Sequence, residues 1–156
     1  MRKLIWDSML DADMNTRYWG CLTRRYSNRD KRMKIFLALM SSGTFASLWF
    51  WTDIELLWKI LSAISTVIAI SLPILNLQKS IETMATLKAK WTQIETEYEI
   101  MWSTCNKEGS DDSQTENTCR YVKKAEVEAN RMEATLPNDK KLIQKCCNEV
   151  LESRGL

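Results

Sequence analysis

Two apolar runs set the pattern of the chain. Ile35–Trp51 (IFLALMSSGTFASLWFW) holds 17 uncharged residues and Ile60–Leu77 (ILSAISTVIAISLPILNL) holds 18. As helices they would extend about 25 and 27 Å, the short end of what crosses a hydrocarbon layer. Neither run has a polar face at helical period, and Ser and Thr are the main interruptions. The pattern predicts two membrane spans joined by the eight residues Thr52–Lys59 into an antiparallel hairpin. Trp49, Trp51 and Trp58 gather at that end, where an aromatic belt sits in the interface.

The flanking segments read as helices too. Tyr18, Trp19, Leu22, Tyr26 and Met33 recur at helical spacing, with Asn15 as a candidate N-cap. Gly20 interrupts that segment at a cost of about 1 kcal/mol, which weakens continuity there. Beyond the second run, Leu87, Trp91, Ile94, Tyr98, Met101 and Cys105 step by four, three, four, three, four. This seam joins Ile70, Ile74, Leu77, Ile81 and Met84 through one extra three-step, a stammer. One long helix leaving the membrane is expected. Its seam, Leu87, Trp91, Ile94, Tyr98 and Met101, would pair with the same seam in other subunits or with the N-terminal helix of its own chain. Asn106–Thr118 reads as a polar, acidic loop. Val122, Ala125, Ala129 and Met132 then mark a thin apolar face that Pro137 ends. Asn138 or Asp139 would cap a last helix carrying Leu142, Ile143, Cys146, Val150 and Leu151. The expected fold is all-α, in four segments: 1–34, 35–77, 78–105 and 106–156.

Composition sharpens this picture. The 156 residues are 45% hydrophobic and 27% charged, averages typical of an ordinary soluble protein. Between Ile35 and Leu77, however, only Asp53, Glu55 and Lys59 are charged. Residues 1–34 carry nine basic and four acidic side chains, a net +5, whereas 79–156 carry 12 basic and 14 acidic, a net −2. Arg17, Arg24, Arg25, Arg29, Lys31, Arg32 and Lys34 precede the first run, and Lys79, Lys88 and Lys90 follow the second. The positive-inside rule therefore predicts both termini on the cytoplasmic side. The basic N-terminal helix would lie on the anionic leaflet or pack beside a later helix. A cleaved signal peptide is not expected, because 34 polar-rich residues precede the first run.

The absence of histidine removes His-based nucleophilic triads, His general bases and His metal ligands. Four glycines and two prolines leave little for a phosphate-cradling loop. The five cysteines form no C-x-x-C pair and read as reduced thiols, with a redox switch at Cys146–Cys147 as the alternative. Glu95, Glu97 and Glu99 read as solvated. No catalytic constellation, cofactor or metal is expected, and the chain is not expected to be an enzyme.

The spans carry the functional signal. Ala38, Ser42 and Ala46 form one small-x-x-x-small series and Gly43 and Ser47 another, spacings that let membrane helices approach closely. Ser62, Ser65, Thr66, Ala69, Pro73 and Asn76 fall along one side of the second run, where several copies would line a water-filled path. Pro73 removes the hydrogen bond to the Ala69 carbonyl, so a kink is expected, with a candidate hinge at Asn76. Packing alone is the plainer reading of the same residues. Two spans cannot enclose a pore, so pore formation requires a homo-oligomer. Arg120, Lys123, Lys124, Arg131, Lys140, Lys141 and Lys145 are candidate ligands for a polyanion, although Glu126, Glu128 and Glu133 among them also suit a solvated face.

This layout resembles the bacterial SLATT family over roughly residues 15–105: an aromatic and basic helix (RYWGCLTRRY, Arg17–Tyr26), a short two-span hairpin and a trailing cytoplasmic helix. The resemblance implies a bacterial inner-membrane effector of nucleotide-signalling anti-phage defence. Such an effector is a pore that depolarises the membrane and arrests infected cells, assembled as a homo-oligomer such as a tetramer. Its signal would come from a partner nucleotidyltransferase. A narrower resemblance, to membrane effectors of the Hailong defence systems, would make that product a DNA oligomer. A non-conducting anchor that recruits a partner through its cytoplasmic helix is the alternative.

Overall fold

A computed structural model describes residues 2–41, 55–105 and 112–155. These form five α-helices and no strand: α1 (Arg2–Ser41), α2 (Glu55–Leu75), α3 (Leu77–Cys105), α4 (Asp112–Glu133) and α5 (Lys140–Ser153). The all-α expectation is met among the described residues. Packing divides the chain into two units, one built from residues 1–23 and 82–156 and the other from 24–81. Helices α1 and α3 each contribute to both.

The first unit is a helical body with its own apolar core. Helix α1 begins at Arg2, so Asn15 lies inside it rather than capping it. The stripe Ile5, Met9, Ala12 carries the early turns inward and Tyr18, Trp19 and Leu22 continue it, all at 3% exposure or less. Gly20 does not interrupt the helix. The α3 seam is fully used here. Leu87, Trp91, Ile94, Tyr98 and Met101 are at most 4% exposed within the single chain. Of the two partners the pattern left open, the chain supplies its own. Each such side chain contributes roughly 1.5–3 kcal/mol by leaving water.

Two further expectations are corrected. The continuous helix through the second run and the seam is broken at Asn76, which has φ 43°, between α2 and α3. An Asn tolerates this left-handed conformation better than most residues. Its carbonyl accepts from the Ser80 amide at 3.2 Å, opening the next helix. Pro73, three residues earlier, has no N–H to give the Ala69 carbonyl, which is why the ladder is weakest here. Second, the acidic loop is shorter than Asn106–Thr118, because α4 already runs from Asp112 and buries Thr115 to 8% exposure.

Pro137 separates α4 from α5, as the pattern predicted. The N-cap of α5 is Asp139, whose Oδ1 accepts from the amides of Lys141 and Leu142 at 3.1 and 3.2 Å. Among the described residues no single helix is long and apolar enough to cross a membrane. Lys59–Leu72 and Leu77–Cys105 together meet that length and composition, as a bent pair. Much of the first apolar run lies outside the described residues.

Candidate functional site

Helix α2 has two unlike sides. Leu56, Ile60, Ile64, Val67 and Ile70 step by four, four, three, three and so share one side, where they are 73, 51, 46, 63 and 59% exposed. Their solvent exposure contrasts with the body, whose core side chains are nearly all covered. The opposite side carries the pore candidates. Ser62, Thr66 and Ala69 are exposed and Ser65 is partly covered; Asn76 is exposed at the break. The described hydroxyls are turned into their own helix. Ser65 Oγ donates to the Leu61 carbonyl at 2.8 Å, Thr66 Oγ1 to Ser62 at 2.9 Å and Ser71 Oγ to Val67 at 2.7 Å. A hydroxyl so bonded is satisfied without water and still presents oxygen lone pairs outward. The side chain of Pro73 lies outside the described residues. Of the helix-packing candidates, Ala38 is exposed on α1, and Ser42, Gly43, Ala46 and Ser47 lie outside the described residues. Ile35 and Leu39, one turn apart near the end of α1, are 60 and 51% exposed.

The basic candidates split by helix. Arg120, Lys123 and Lys124 line one open groove on α4 with Leu4, Glu116 and Cys119, and Lys123, Lys124 and Arg131 line another with Val127 and Glu128. Several of these charges are already matched. Arg120 meets Glu116 at 2.8 Å. Lys123 meets Glu126 at 2.8 Å, donates to Ser8 Oγ at 3.0 Å and lies 5.7 Å from the Tyr98 ring centroid. Lys140, Lys141 and Lys145 stand exposed on α5 and belong to neither groove; Lys145 faces Glu149 at 3.6 Å. Matched pairs leave less charge for a polyanion, so Lys124 and Arg131, both exposed, are the more available cations of the α4 group.

The body also holds polar clasps that pattern reasoning missed. Glu133 Oε1, on the last turn of α4, accepts from the indoles of both Trp19 and Trp91 at 3.1 and 3.0 Å. Burial raises this carboxyl above its ordinary range, opposed by the two indole hydrogen bonds. Asp13, 4% exposed on α1, is held by Arg17 at 2.6 Å and by Arg154 at 3.2 Å, and Arg154 also reaches Glu99 at 3.1 Å. Tyr98 Oη donates to Glu126 at 2.5 Å, and burial followed by that carboxylate pushes the phenol far up. One signal could have located the first clasp: a buried tryptophan needs an acceptor for its indole, and both Trp19 and Trp91 fall on the apolar stripes. Among the described residues no group of three or more Cys, Asp or Glu is arranged to hold a metal ion. Comparison with protein-family models, with curated proteins and with solved structures finds no match.

Proposed function

We propose that this chain is one subunit of an oligomeric membrane pore whose helical body, on the cytoplasmic face, controls the pore in response to a nucleotide or oligonucleotide signal. The observation that carries the reading is the aliphatic side of α2, five large side chains in solvent in a chain whose helical body buries its own. Lipid hydrocarbon would cover them, at a gain of roughly 1.5–3 kcal/mol for each side chain fully removed from water. The self-bonded hydroxyls keep the other side of α2 stable in the same medium. The basic flanks support a body on the same side as cytoplasmic termini, and a nucleotidyltransferase partner would make the signal.

The occupied α3 seam changes how the subunits would meet. Leu87, Trp91 and Tyr98 are buried within the chain, so assembly runs through the membrane helices rather than through a coiled coil. A recruiting anchor would have to dock its partner on the exposed face of the cytoplasmic helix, since the seam is buried. The reading is tested by brief induction in bacteria, with membrane potential followed by a voltage-sensitive dye and the chain followed in alkaline-washed membranes. Membrane retention with rapid depolarisation, and leakage of small ions but not macromolecules, is the expected result. Recovery in the soluble fraction overturns the membrane placement. A membrane-held chain that leaves the potential undisturbed, with and without an active signal-making nucleotidyltransferase, overturns the pore.

A further inference from the structure

Helices α3 and α4 run antiparallel in the body. From the Trp91–Glu133 hydrogen bond to the Tyr98–Glu126 one, the partners move seven residues forward on α3 and seven back on α4. A cavity of about 190 Å³ lies between the same two helices. Lys90 and Glu128, both in its lining, pair across it at 2.5 Å. Seven residues on along α3, Glu97 joins the lining at the level of Tyr121, seven residues back on α4. That register puts Glu97 and Tyr121 about 10 Å along the helices from the Lys90–Glu128 pair. Between the two ends, Ile94 and Val122, both buried, make an apolar floor with Ala125. Tyr121 is exposed. Lys90 is matched by Glu128, whereas Glu97 is half-buried and, among the described residues, has neither a hydrogen bond nor an ion pair.

We propose that this cavity binds a small primary amine, singly charged, on a short apolar stem. The sign of the charge follows from the lining. Two carboxylates against one ammonium leave a net −1, and the unmatched charge is that of Glu97. Glu97 takes the ligand ammonium in a charge-assisted hydrogen bond. The stem lies over Ile94, Val122 and Ala125 and leaves water there. Tyr121 forms a side wall, since an aromatic ring covers apolar atoms and attracts a nearby cation. Size limits the ligand. Drug-sized pockets hold roughly 300–1,000 Å³, so this smaller cavity suits a ligand on the order of ten non-hydrogen atoms. A second ammonium on the stem would approach Lys90, whose counter-charge is already engaged, so a diamine gains little. An anion is opposed by Glu97, which distinguishes this cavity from the basic grooves of α4. The site belongs to the body alone and does not depend on conduction by the chain.

The test titrates the purified full chain, held in nanodiscs of zwitterionic lipid, with 2-phenylethylamine by isothermal titration calorimetry. Saturable binding is expected, with a dissociation constant on the order of 0.1–1 mM for so few ligand atoms. 2-Phenylethanol keeps the stem without the charge, and 3-phenylpropanoate reverses the charge; each should bind at least about tenfold more weakly. Glu97→Gln removes the counter-charge at a position without a partner of its own, and should weaken the amine about tenfold or more while the melting temperature holds. Ala125→Leu fills the floor, leaves every charge in place, and should weaken the amine to a similar extent. The absence of saturable binding would overturn the proposal. So would an unchanged affinity in either variant, equal affinity for the alcohol, displacement of the amine by equimolar magnesium, or preferential binding of a neutral nucleoside such as guanosine.

Discussion

Glu133 joins three helices through one oxygen, since its Oε1 accepts from Trp19 on α1 and Trp91 on α3 while it stands on α4. Removing the acceptor strands two indole donors, so Glu133→Ala should lower stability by roughly 2–6 kcal/mol, at about 1–3 kcal/mol for each buried donor left without a partner. Glu133→Gln keeps an amide oxygen in the same place and should cost less than about 1 kcal/mol. The two variants also differ from wild type in pH dependence. The folded-state pKa of this carboxyl is raised by burial, so the native chain binds more protons than the unfolded one just above the ordinary carboxylate range. Stability from this group is therefore present at low pH and declines as pH rises from the unfolded to the folded pKa. Glu133→Gln should flatten that decline in urea midpoints measured across mildly acidic pH. An unchanged slope would assign the effect to Asp11 or Glu95, which burial raises in the same direction. Asp139 offers a plainer test: as N-cap to two amides of α5, its replacement by Ala should cost about 1 kcal/mol in thermal melts.

At the scale of the helix, Gly20 and Asn76 are the two positions where backbone preference and structure meet. Gly20 lies inside α1, and a β-carbon there would make ordinary contact with the Lys88 side chain at 3.5 Å. Gly20→Ala should therefore stabilise the body by roughly 0.5–1 kcal/mol, read as a higher melting temperature. Asn76 holds φ 43° at the break, so Asn76→Gly should be tolerated and Asn76→Ala should cost about 1 kcal/mol or more. The elements themselves were largely legible. The seam on α3 and the cap at Asp139 follow from spacing and from a single side-chain type, which are local properties. The start of α1 was not, because Arg2–Met14 hides a stripe of three apolar residues among charges that alone suggest a solvated flank. Nor could periodicity tell what covers Leu87 or Trp91, since an apolar seam has the same spacing whether its partner is another subunit or its own chain. The Glu133 clasp joins residues 42 and 114 positions apart, and no local pattern records such a meeting. The Pro73–Asn76 break was legible as a weak point, but its outcome, a left-handed residue rather than a kinked continuous helix, depends on packing beyond the local sequence.

For the whole molecule, the two sides of α2 make opposite demands on substitution. If the aliphatic side meets lipid and the small side lines a path through the oligomer, a bulky apolar residue is harmless on the first and obstructive on the second. Val67→Leu should leave depolarisation unchanged, whereas Ala69→Leu should slow it at least tenfold with the same amount of protein in the membrane. Charge tests the placement independently of conduction. Val67→Asp puts a carboxylate on the lipid side and costs roughly 2.5–3.5 kcal/mol if that position lies near the bilayer centre, so the chain should leave the membrane fraction. For a pore lined by this side, the hydroxyl geometry predicts a sign for selectivity. Ser65 and Thr66 give their protons to their own helix, so what they would offer to such a path is oxygen lone pairs, and rings of such oxygens would favour cations. In planar bilayers under a potassium chloride gradient, the reversal potential should fall on the cation side, and Thr66→Val should reduce that preference while keeping the helix. A reversal potential on the chloride side would mean that the basic flanks, rather than the α2 hydroxyls, dominate the permeation path, and would turn the small side of α2 into a packing surface.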